Sequence, residues 1–147
     1  MLVFLVAGVA AVAVFALSQA KGGRTLAEWI EVDFQAQQGL GVGADPRKYA
    51  WEAALRHINY GQHWGVDITG IRLFLTSVGT RRASGGADDS YSVTFRAISI
   101  EGLTPETALT TPVKEVGDVV VVVHQAGYQY EVHSTTWPKA MYTEPGF

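Results

Sequence analysis

Hydrophobic and polar positions follow three rhythms along this chain. The first is an unbroken apolar run. From Met1 to Leu17 only Gly8 interrupts it, Ser18 and Gln19 end it, and no charged side chain precedes Lys21. An apolar helix of about 20 residues rises about 30 Å, the hydrocarbon thickness of a bilayer. The run therefore predicts a single N-terminal transmembrane helix over residues 1–20. Ser18-Gln19-Ala20 would suit a leader-peptide cleavage site, but the positive charge that normally opens a leader is missing. Ala7, Gly8, Ala10, Ala11 and Ala13 recur at three- and four-residue spacing. Small residues in such rows let helix backbones approach closely in lipid. Gly8 and Ala11 are thus candidate contacts with other membrane-protein subunits.

The second rhythm is helical. Gly22-Gly23 ends the apolar run, and Thr25-Leu-Ala-Glu28 reads as a capping box opening a helix over 26–38. Leu26, Trp29, Ile30 and Phe34 fall at i, i+3, i+4 and i+8 and share one face, while Glu28, Glu31 and Asp33 lie on others. A basic helix beside a membrane span would suit the lipid surface, but an acidic one is repelled by anionic lipid. Packing against the rest of the chain or a partner protein is expected instead, and these four residues are the candidate partner-binding face. Gly39-Leu-Gly41-Val-Gly43 has the spacing GxGxG with no strand before it, so it reads as a linker rather than a nucleotide loop. Asp45 and Pro46 open a second helix, to about residue 60, with Asp as N-cap and Pro in the first turn. Its expected buried face is Trp51, Ala54, Leu55 and Ile58.

The third rhythm has period two and predicts four strands, over 67–79, 90–100, 119–125 and 128–136. Between the first two strands, Thr80 to Asp89 reads as an exposed, glycine- and serine-bearing hairpin tip. Val119–Val123 are five consecutive valines, as expected of a central strand or one covered on both faces. A two-residue turn at Ala126-Gly127 would pair Gln125 with Tyr128 and His124 with Gln129. Val119, Val121, Val123, Tyr128, Tyr130 and Val132 would then face the core. His124, Glu131 and His133 would share the other face, with the two histidines four rows and about 13 Å apart.

The expected fold class is α+β. A single N-terminal transmembrane helix (1–20) precedes a juxtamembrane amphipathic helix and Gly-rich linker (21–44). A domain of one helix and sheet (45–147) completes two helices packed on a four-stranded, mainly antiparallel sheet. The order of elements resembles that of pilins, although the early glutamate of type IV pilins is missing from the charge-free run.

Composition narrows the chemistry. Hydrophobic residues make up 48% of the 147-residue chain, concentrated at the N-terminus. Eleven Lys and Arg against 14 Asp and Glu give a net charge of −3, unsuited to nucleic acid as a main partner. With no cysteine, thiol chemistry and Cys-ligated zinc are excluded. His57 and His63 are six residues apart across Gly61, unlike the i, i+4 pair of a helical metal site. A helix-end role, binding the last carbonyls, is expected of them.

No nucleophile-elbow, zinc-protease, phosphate-loop or EF-hand motif occurs. Catalytic residues, a cofactor and a metal are therefore not expected. The functional expectation is a non-catalytic accessory subunit of a membrane protein complex, contacting other subunits through residues 1–38 and the lipid bilayer through its span. The alternative is a pilin-like filament or virion subunit with the apolar helix in a protein core. Lys21 and Arg24 follow the span closely, which favours a cytoplasmic domain over an exported one.

Overall fold

Residues 23–61, 63, 65–82 and 89–143 are described by a computed structural model of the chain. Residues 1–20, with Gly8 and Ala11, and residues 83–88 of the expected tip lie outside them. Among the described residues no helix is long and apolar enough to cross a membrane.

The capping box at Thr25 forms as its residue types dictate. Glu28 N–H donates to Thr25 Oγ1 at 3.3 Å, and Thr25 N–H donates to Glu28 Oε1 at 3.0 Å. Two of the helix's otherwise unpaired donors are thereby satisfied. Helix α1 spans Leu26–Gln38. The linker closes on Asp45, whose carboxylate accepts from Gly41 N–H at 2.9 Å and from Arg47 N–H at 2.8 Å. This N-cap starts α2, Pro46–Tyr60.

Four antiparallel strands follow in a meander: β1 Ile71–Arg82, β2 Asp89–Ser99, β3 Lys114–Ala126 and β4 Gln129–Thr136, side by side in that order. The valine run lies in β3, an interior strand. The fourteen residues before it, 100–113, contain one short 3-10 turn at Thr107–Leu109.

Phe74 and Leu75 are neighbours in β1 and so point to opposite faces of the sheet. They belong to two separate cores. On one face Leu75, Val93, Phe95, Val119, Val121 and Val123 pack against Ala50, Ala53, Ala54 and Ile58 of α2. Ala50 and Ala53 thus join the expected Ala54 and Ile58 at the centre, while Trp51 and Leu55 flank it half-buried. Alanines at the contact let the helix approach closely, and the bulkier residues fill its margins. On the other face Phe74, Ile98 and Val113 enclose Trp29 of α1.

Helix α1 therefore straddles the outer edge of β1, with Trp29 in the smaller core and Ala36 against the larger. A bulge at Thr76 disturbs the register there. Asp33 Oδ1 accepts from Leu75 N–H at 2.7 Å, supplying a partner to an edge strand's backbone donor.

The last hairpin departs from the expected register. Ala126 pairs with Gln129 and His124 with Glu131. The loop residues are Gly127 and Tyr128 rather than Ala126 and Gly127, and Gly127 has φ +62°. A left-handed first loop residue is what a type II′ turn demands, and glycine supplies it at low steric cost. Tyr128 is consequently fully exposed rather than in the core. A bulge leaves His133 out of the register between Val132 and Ser134. The His124 and His133 rings, expected 13 Å apart, stack with centroids 4.4 Å apart and planes 9° from parallel.

Candidate functional site

Helix periodicity brings Tyr49, Glu52 and Arg56 onto one face of α2, at i, i+3 and i+7. The β3–β4 hairpin borders the same space with Gln125, Tyr128, Tyr130 and Glu131. Between helix and hairpin lies a cleft of about 820 Å³ lined by these residues. That volume falls within the range of organic-ligand sites, roughly 300–1,000 Å³.

The floor of the cleft is aromatic. Tyr130 sits at the end of the core, its ring 5.5 Å from Tyr49 and 6.4 Å from the buried Tyr91. Tyr91 donates its hydroxyl hydrogen to Gln125 Oε1 at 3.2 Å, and Gln125 Nε2 donates to Gly127 O at 3.4 Å. This chain of contacts ties the turn to the core and fixes the orientation of the hairpin wall. Burial, then the charge of Asp89 and the neighbouring Tyr130 and Asp45, raises the Tyr91 pKa above its ordinary value. Burial, then Tyr49 and Asp45, does the same at Tyr130. Both phenols therefore remain neutral at physiological pH and act as hydrogen-bonding groups and ring surfaces.

A smaller cleft of about 320 Å³ lies farther along β4, where His57, His63, His133 and Trp137 converge. His63 uses Nε2–H to donate to Ile58 O at 2.7 Å, the helix-end role expected from sequence. Its ring also meets Trp137 edge-on, at 5.0 Å. Among the described residues no three or more His, Cys, Asp or Glu side chains converge to hold a metal ion.

The four described residues of the sequence-predicted partner face part company. Trp29 is 2% exposed and inside the chain's own smaller core, with the guanidinium groups of Arg24 and Arg96 at 4.9 Å and 5.9 Å from its ring centroid. Leu26 packs beside it. Ile30 and Phe34 are 46% and 38% exposed. Packing on β1 takes the side of α1 that carries Trp29 and turns Ile30 outward, because the apolar stripe is wider than the strand edge it meets.

No apolar stripe or catalytic motif marks Tyr49, Glu52 and Arg56, and the strand pattern assigns Tyr128 and Tyr130 to the core. The signal was Tyr49-x-x-Glu52-x-x-x-Arg56, a polar and aromatic stripe on the flank of a helix otherwise facing the core. No family model, curated protein or solved structure matches this chain, so what the cleft can hold follows from its own side chains.

Proposed function

We propose that this chain is a non-catalytic subunit of a membrane protein assembly, anchored by residues 1–20, whose folded domain presents a recognition cleft away from the bilayer. The observation that carries this is the short distance between the apolar run and the fold. Val113 N–H already donates to Arg24 O at 2.9 Å, and Thr25 bridges Pro112. Residues 21–23 span at most about 10 Å. A membrane helix over 1–20 would thus hold the Arg24–Pro112 end of the sheet against the lipid surface. From that end β3 runs the length of the sheet to the cleft, about 40 Å at ~3.3 Å per residue. Lys21 and Arg24, directly after the span, favour a cytoplasmic domain.

Affinity purification of the tagged full chain from detergent extracts of its native cells tests this. Integral membrane proteins should co-purify in fixed stoichiometry, and deletion of residues 1–20 should release a soluble domain without them. Retention of the same partners by the truncated chain would overturn anchoring through this helix. Sedimentation of the full chain as a long polymer without detergent would instead favour a filament subunit.

A further inference from the structure

The geometry points to a binding site for an organic cation, an alkylated ammonium or a guanidinium head, over the Tyr49 and Tyr130 rings, beside Glu52 and within the field of Glu131 at the strand edge. The assignment stands whether or not residues 1–20 lie in a membrane. Aromatic rings present a negative face that attracts weakly hydrated cations. Tyr49 and Tyr130 form a tilted pair with centroids 5.5 Å apart, and the exposed Tyr128 supplies a third ring at the rim. Glu52 lies on the helix wall, and Glu131, which strand alternation turns away from the Tyr130 face, borders the cleft at the open edge of β4.

The charge balance fits a cation. Among the described residues Arg56 is the one basic residue lining the cleft, against the two acidic residues Glu52 and Glu131. Asp45 lies close enough to act on Tyr130 and is itself paired with Arg47 at 2.9 Å. An anion would face the two glutamates. A bare metal ion would find no cluster of three ligands among the described residues. The volume of about 820 Å³ suits a cationic head with an organic body attached. Such a head can belong to a small amine or to a basic side chain of a partner subunit.

The test uses the full chain in a maltoside detergent, which carries no cationic headgroup. Choline and N-acetyl-arginine amide are titrated separately, each beside dimethylbutanol, the uncharged isostere of choline, while tyrosine ring resonances are followed by NMR. Saturable shifts should appear with at least one cation, about five-fold tighter than with the alcohol. Preference for choline identifies a small amine as the source, and preference for the arginine derivative identifies a basic side chain.

The double substitution Glu52→Gln with Glu131→Gln should weaken binding about five-fold. Tyr128→Leu, at a fully exposed position, should also weaken it measurably, and keeps the test decisive if the double variant fails to fold. Equal binding of the alcohol, failure of both cations to shift the rings, or undiminished binding by the folded variants would each overturn the assignment.

Discussion

The two edges of the sheet are finished in opposite ways. At β1 a helix crosses the edge, puts Trp29 and Ala36 into the cores on either face, and offers Asp33 to the backbone N–H of Leu75. At β4 the described chain adds no further strand, and the wall carries exposed polar residues, a bulge at His133 and a tyrosine at the turn. An edge strand presents unpaired backbone groups that invite association with other chains. Here one edge is closed by apolar burial, while the other is interrupted by the bulge and bordered by two clefts. Residues at the first edge should therefore carry stability, and those at the second should be free to carry recognition.

The sharpest way to break this contrast is Trp29→Ala. Removing a buried indole should destabilise the protein by about 3–5 kcal/mol, read from denaturant unfolding. A loss below about 1 kcal/mol would mean that α1 contributes little to the sheet. Asp33→Ala, next in size, leaves the Leu75 N–H without its acceptor and should cost about 1–3 kcal/mol. Asp33→Asn keeps a carbonyl acceptor and should recover most of that loss.

Acid titration probes the linker joining the two helices. Hydrogen bonds from the Arg47 guanidinium and the Arg47 backbone, with a smaller contribution from Gly41, hold Asp45 down at about 2 against an ordinary value of 3.8. A carboxylate depressed by folding contributes stability above its unfolded pKa, and that contribution fades as pH falls from about 4 towards 2. Arg47→Met should move the Asp45 midpoint, followed by carboxyl NMR, upward towards the ordinary value. An unmoved midpoint would show that Arg47 is not the cause. The smallest stability effect belongs to the other edge: Tyr128→Ala should shift unfolding by no more than about 0.5 kcal/mol. A larger loss would place Tyr128 in the stabilising core and erase the distinction between the edges.

Local sequence was sufficient where a residue answers only to its neighbours. Thr25 and Glu28 cap α1 because a side chain three residues on is within reach, and Asp45-Pro46 opens α2 for the same reason. Alternation in β2 and the valines of β3 set which side chains face α2, since every second residue of a strand returns to the same face. Two helices on a four-stranded antiparallel sheet follow from these rules.

Tertiary structure decided what depends on distant partners. The apolar stripe of α1 needed burial, but only the β1 edge selected Trp29 for the core and left Ile30 exposed. A single glycine set the final register: Gly127 took the first loop position, where a positive φ is needed, and moved every pair in the hairpin. That shift, with the bulge at His133, stacked two histidines that simple alternation separates by four rows. The cleft arose in the same way. Tyr49, Glu52 and Arg56 are 74 or more residues from Tyr130, and only the meander brings β4 over α2 to face them. Periodicity encodes which way a side chain points, whereas what it meets is set by the long-range pairing of strands and the packing of helices upon them.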